Sequence, residues 1–199
     1  MYAFQRTPCP DYLNECWEVL GMRYVEAKNR NPGYKFRWYA AFRYDETRRL
    51  LNEMTQGHCA FCDGGDLGSV SRETIEHFRP KSHPEFRRFA FQWQNLYPCC
   101  DQCQTQKLEN FDINLLVADD VDYRFEDFFI ADYTNGEIQP NPLASENNQQ
   151  RAQCTIDFYG LNTSLRAHCR KKELKRYRQR NPEEDLLNDF SYRYFLMDA

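Results

Sequence analysis

Two short cysteine pairs, Cys59-Ala-Phe-Cys62 and Cys100-Asp-Gln-Cys103, limit what this chain can fold into more than any other stretch. Two residues between thiolates let one tight turn aim both sulfurs at a single point. Two such turns complete the tetrahedron that Zn²⁺ favours, with Zn–S distances of about 2.3 Å. A four-sulfur cage is closed and structural, because it leaves no coordination position for a substrate. The gap between the pairs is longer than in a compact zinc ribbon, so a sizeable insert must be enclosed. Cys99 adjoins the second pair, but only Cys100 makes a two-residue gap to Cys103. Cys9, Cys16, Cys154 and Cys169 have no partner at ligand spacing and read as ordinary thiols. Nine cysteines, an odd number, argue against a disulfide framework.

The opening residues "MYAFQRTPCPDYLNE" lack the basic start and apolar stretch of a secretory signal. No apolar run approaches the roughly 18–20 residues of a membrane span. The expected location is therefore cytoplasmic, where thiols stay reduced. Aromatic residues make up 16% of the 199 positions, enough to fill the core of one domain. Apolar spacing at Leu13, Trp17, Leu20 and Tyr24 predicts a helix over 11–30, broken by Asn31-Pro32-Gly33. A second helix is expected over 38–54, with Gly57 as its stop. Short strands and turns follow, and "FFIADYTNGEIQP" reads as a hairpin turning at Asn135-Gly136. From Leu143 onward the pattern is helical, interrupted near "YGLNTS" and "RNPEED", with Asn181-Pro182 opening a terminal helix. The expectation is a mainly helical α+β chain forming one compact domain. It comprises an N-terminal helical region (1–57), a core (58–112), and a hairpin with C-terminal helices (113–199).

The net charge of −4 does not advertise a nucleic-acid binder, but the distribution is uneven. Residues 109–132 carry eight acids against one Arg, and residues 166–180 carry eight basic side chains against one Glu. The second run is either a basic face or an ordinary solvated helix face.

Between the cysteine pairs stand Glu76-His77 in "TIEHFRPKS" and then "QWQNLYPCCDQCQTQK". The order Cys-x-x-Cys, acid-His, Asn-Leu, Cys-x-x-Cys, polar residue, Lys resembles the HNH endonucleases over residues 58–111. That resemblance implies a ββα-metal nuclease core: two strands and a helix around one catalytic divalent ion, braced by a zinc site of four cysteines. It implies His77 as the general base that deprotonates water, and Asn95, on the second strand or the loop after it, as the residue orienting the His77 loop. It further implies that Glu76 and Gln104 hold Mg²⁺ or Mn²⁺, with Arg79, Lys81 and Lys107 near phosphate. Two positions depart from the family pattern, which has Asp at Glu76 and His or Asn at Gln104. The longer side chains still offer oxygen to a hard cation.

"IEHFRPKS", "QWQNLYPCCDQCQTQK" and "TIDFYGLN" together look like one branch of these proteins, the PtuB-like nuclease subunits of Septu and retron-associated anti-phage systems. The likeness implies a nucleic-acid substrate, with DNA ahead of RNA such as tRNA. It also implies a PtuA-like ATPase partner of the ABC/SMC kind, and in some systems a retron reverse transcriptase with its msDNA. The chain has no phosphate-binding loop of its own, so any ATP dependence falls to that partner. The aromatic tail "FSYRYFLMDA" either docks the partner or packs back on its own core. A different class of function is a non-catalytic zinc module that binds nucleic acid or protein as an adaptor.

Overall fold

The β-prone run Glu73–His77 (β1) pairs antiparallel with Leu96–Cys100 (β2), in the register Glu76↔Tyr97 and His77↔Leu96. The computed structural model describes residues 1–197. Opposed residues of such a ladder share a face, and neighbours along a strand alternate. Ile75 and Leu96 enter one core with Leu20, Phe42, Leu51, Phe91 and Trp93. Tyr97 and Cys99 enter a second core with Phe61, Tyr159, Leu161 and Phe195. Covered on both faces, β2 is buried along its whole length, which accounts for its apolar sequence Leu-Tyr-Pro-Cys-Cys. The carbonyl of Pro98 accepts the Ala60 N–H at 3.0 Å, which holds the first cysteine turn against the second. From β2 the chain runs straight into helix Asp101–Lys107 (α4), which packs on both strands.

The first core is closed by helices Asp11–Asn14 (α1), Trp17–Arg30 (α2) and Tyr44–Met54 (α3). The single helix expected over 11–30 is thus two. At the junction Cys16 leaves helical geometry at φ −127°, and its thiol donates to the Tyr12 carbonyl at 3.0 Å. The helix expected from residue 38 starts only at Tyr44. Arg43 adopts a left-handed conformation at φ 50°, and Trp38 stacks on Phe42 with ring centroids 4.3 Å apart. Ring packing there overrides helix propensity. Gly57 ends the turn after α3 as expected: its φ is +79°, and its N–H returns to the Asn52 carbonyl.

The hairpin forms from Phe129–Asp132 (β3) and Glu137–Pro140 (β4). Its Gly136 has φ +86°, and a Cβ there would lie 2.2 Å from the Ala167 carbonyl oxygen, so both conformation and space demand glycine. Helix Glu146–Tyr159 (α5) starts on a Ser145 cap and is followed by Ser164–Arg178 (α6). No terminal helix grows from Asn181-Pro182. The Asp185 carboxylate accepts the Asn181 N–H and closes a single turn, after which only short 3₁₀ turns occur among the described residues. No helix among the described residues is long and apolar enough to cross a membrane.

The tail packs inward on its own core. Phe190, Tyr194, Phe195 and Leu196 are buried, while Asp198 and Ala199 lie outside the described residues. Its anchor is Arg193, whose guanidinium pairs with Asp63 at 2.6 Å. Gln56, Asn188 and the Thr55 carbonyl take its remaining N–H groups. Asp63 directly follows the first cysteine pair, so the anchor ties the chain's end to the cysteine centre. Both partners are almost inaccessible to water, and removing one strands the other's charge. Asp63→Ala is expected to cost about 3–5 kcal/mol of unfolding free energy in a denaturant titration. A change inside the about 0–1 kcal/mol range of surface pairs would contradict this role.

Candidate metal centre and adjoining cleft

The sulfurs of Cys59, Cys62, Cys100 and Cys103 converge, all within 4.8 Å of one another and all buried. Cys62 Sγ and Cys100 Sγ stand 3.7 Å apart, close to the roughly 3.8 Å edge of a tetrahedron with 2.3 Å metal–sulfur bonds. The donor set could hold a metal ion such as zinc. Cys99, next to Cys100 on β2, is buried in the same core but is not one of the four converging sulfurs. Two backbone N–H groups reach the sulfurs, Cys100 N to Cys59 Sγ and Cys103 N to Cys100 Sγ, each at 3.4 Å.

Arg166 completes the centre. It is buried, and its guanidinium lies 3.1 Å from Cys103 Sγ and 3.8 Å from Cys100 Sγ. The carbonyls of Tyr159 and Gly160 accept its other donors, and no carboxylate pairs with it among the described residues. A guanidinium stays charged at any accessible pH, so its burial requires negative charge nearby. Among the described residues, the cysteine sulfurs are the candidates in contact, as thiolates when they hold a metal. Four of them around a divalent ion leave a net charge of −2, which one Arg halves. Arg166 was hidden within the basic run of residues 166–180. Its signal was positional, since Arg166, Arg170 and Leu174 fall at i, i+4 and i+8 on the inward stripe of α6.

The end of β1 opens on a cleft of ≈ 330 Å³ lined by Glu76, His77, Lys81, Gln104, Leu108 and Glu109, among others. Alternation sends Glu76 toward α4. There Oε1 accepts Lys107 Nζ at 2.8 Å, and Oε2 lies 3.3 Å from the Gln104 side-chain amide. Burial pushes the Glu76 carboxyl up, and the Lys107 ammonium pulls it part of the way back. Lys107 is itself buried and also donates to the His77 carbonyl at 3.1 Å. It is therefore not available to phosphate, contrary to the sequence expectation: Glu76 holds its ammonium inside.

The His77 ring lies between Trp38, parallel at 5.3 Å, and Phe36, edge-on at 5.4 Å. Its Nε2 is 2.9 Å from the Ala90 carbonyl. A carbonyl can only accept, so Nε2 carries the proton and Nδ1 holds the lone pair of the neutral ring. Burial, followed by the charges of Lys81 and Lys107, lowers the His77 pKa well below the ordinary 6.5. Asn95 sits in a 3₁₀ turn, Trp93–Asn95, just before β2 rather than on or after it. Its Oδ1 accepts the Arg79 N–H at 2.7 Å, and its Nδ2 donates to the carbonyls of Arg79 and Phe89. The amide thus clasps both ends of the loop that leaves His77. The Arg79 side chain is exposed beside Phe89, whereas Lys81 reaches the cleft, 3.8 Å from Glu109. Phe36 and Trp38, the rings that orient His77, carried no signal in the sequence beyond their aromatic character.

No family model matches the chain. It is similar to the Septu protein PtuB of Bacillus mycoides (strain KBAB4), 29% identical over 125 residues, covering 56% of this chain and 42% of that protein. The chain therefore spans less than half the length of this curated relative.

Replacing Arg166 by Gln keeps the side chain's polarity but removes the charge facing the sulfurs. Metal retention, followed by chelator competition or by the absorbance of the cobalt-loaded protein, is expected to weaken about 10–100-fold. Cys59→Ser should instead lose the metal outright. Retention in R166Q equal to wild type would rule out the counter-charge role.

Proposed function

We propose that the chain is an HNH-type nuclease subunit, hydrolysing phosphodiester bonds of nucleic acid, with DNA ahead of RNA, as an effector of Septu-type anti-phage defence. The carrying observation is the His77 ring: its proton lies on Nε2 against the Ala90 carbonyl, which leaves Nδ1 as its basic atom, and His77 lines a cleft with Glu76, Gln104 and Lys81. The two strands and helix around that cleft, with four cysteines clustered at their base, support reading residues 58–112 as a ββα-metal core. The similarity to a Septu protein PtuB supports the defence setting and, through the name, a PtuA-like ATPase partner. A retron reverse transcriptase with its msDNA rests on the sequence resemblance alone.

In this reading His77 takes a proton from the attacking water at Nδ1. Its lowered pKa keeps the ring unprotonated at neutral pH, as a general base must be. Asn95 maintains the loop geometry behind it, and Lys81 is placed to meet phosphate. Glu76 and Gln104 would hold a hard divalent cation such as Mg²⁺ or Mn²⁺. Their 3.3 Å separation is near the roughly 3 Å between adjacent oxygens of an octahedral site with 2.1 Å bonds. Gln104 offers oxygen once its amide is turned, since N and O of that group exchange by a flip. When bound, the cation supplies Lewis-acid stabilisation of charge gathering on the phosphate and the leaving oxygen.

One observation favours the adaptor alternative: Lys107 already neutralises Glu76. Cleavage decides between the two. With plasmid or transfer RNA, the divalent ion and the ATPase partner, His77→Ala is expected to lower the cleavage rate by about 10²–10⁴-fold while the cysteine centre keeps its metal. Equal cleavage by both proteins would remove His77 from the mechanism. Absence of cleavage by wild type under every condition would leave the adaptor.

A further inference from the structure

Helix α6 carries an asymmetry that neither the cysteine centre nor the cleft uses. Arg166, Ala167, Arg170 and Leu174 face inward. Arg170 is fully engaged by the carbonyls of Gly136 and Leu161 and by Asn162. The outward positions hold Lys171, Lys172, Lys175, Arg176 and Arg178, all exposed. Of these only Arg176 has an ion-pair partner among the described residues, Glu173 at 3.1 Å. Glu173 also accepts the Ser191 N–H, and Asp185 accepts the Asn181 N–H, so the carboxylates next to the stripe are engaged. Glu183 and Glu184 lie past the end of the helix. A groove of ≈ 470 Å³ runs between Lys172, Lys175, Arg176 and Gln179 on one side and Asp185 and Phe190 on the other.

Like charges three and four positions apart on a helix repel, so this stripe lowers helix stability unless anions meet it. We infer that the outward face of α6 is a second contact surface for the phosphate backbone of duplex DNA, separate from the cleft. Lys171 to Arg178 spans about 10 Å of helix, long enough to meet several successive phosphates. Two features choose the duplex. The aromatic rings on this face are covered, Tyr177 by the Arg180 guanidinium at 3.6 Å and Phe190 by Arg176 at 4.5 Å, so no free ring offers the stacking that single strands use. A convex helix also fits the wide major groove of B-form DNA, whereas the deep, narrow groove of A-form RNA excludes it. The inference takes nucleic acid as partner from the proposed function, but it concerns binding and not cleavage.

The test uses the full chain carrying His77→Ala and a short labelled duplex DNA, with binding followed by fluorescence anisotropy over a salt series. Adding K171Q, K172Q, K175Q and R178Q is expected to weaken binding at least about tenfold and to reduce the slope of log K against log salt by about 2–4. Should the fourfold variant melt early, K172Q with K175Q carries the test, with a slope change of about 1–2. Unchanged affinity and slope would overturn the surface while leaving the cleavage assay free to uphold the nuclease reading. Preference for duplex RNA or single strands that the substitutions do not weaken would also overturn it. So would loss of a co-purifying protein partner with DNA affinity intact, which would assign the stripe to an acidic protein.

Discussion

Four sulfurs drawn to one point, with a buried guanidinium against them, are the constraint on which the rest of this protein depends. Cys59 and Cys62 precede the strands, and Cys100 and Cys103 end β2 and enter α4. Their convergence closes the insert that carries β1 and the His77 loop. Arg166 brings α6 and the α5–α6 connection into the same arrangement, and Asp63 brings in the C-terminal tail through Arg193. A two-stranded sheet has little stability of its own. Here it lies between two hydrophobic cores and is fastened at its end by charge, so its register is specified on both faces.

That rigidity allows charged groups to be kept away from water beside the cleft. Glu76 and Lys107 form an almost fully buried pair, and His77 is walled by two aromatic rings with one nitrogen engaged. In such surroundings electrostatic interactions are stronger than in water, and an imidazole stays neutral. The buried imidazole and the paired carboxylate leave opposite faces of one strand end, and both residues line the same cleft. The basic stripe of α6 follows the opposite rule, with its cations left in water and, Arg176 apart, without ion-pair partners among the described residues.

Much of this was legible in the sequence because it depends on local spacing. The Cys-x-x-Cys pairs, the preference for Cys100 over Cys99, the hairpin at Asn135-Gly136 and the stop at Gly57 each follow from steric or ligand rules acting over a few residues. The helix boundaries near Cys16 and Tyr44 were not legible. There the outcome turns on aromatic packing between residues far apart in the chain, which no local propensity records. Asn181-Pro182 misled for a similar reason: its helix-start pattern lost to an Asp185 side chain closing the turn.

By itself, the sequence determined the donor set for a metal, the order of Glu76, His77, Asn95 and Gln104, and the charge content of residues 166–180. Tertiary structure alone decided which charges are used internally. Lys107 turned from a phosphate contact into the partner of Glu76, Arg166 into a counter-charge for sulfur, and the aromatic tail into core. The physical reason is that a side chain's chemistry is set by its own atoms, whereas its availability is set by burial and by partners contributed from distant segments of the chain.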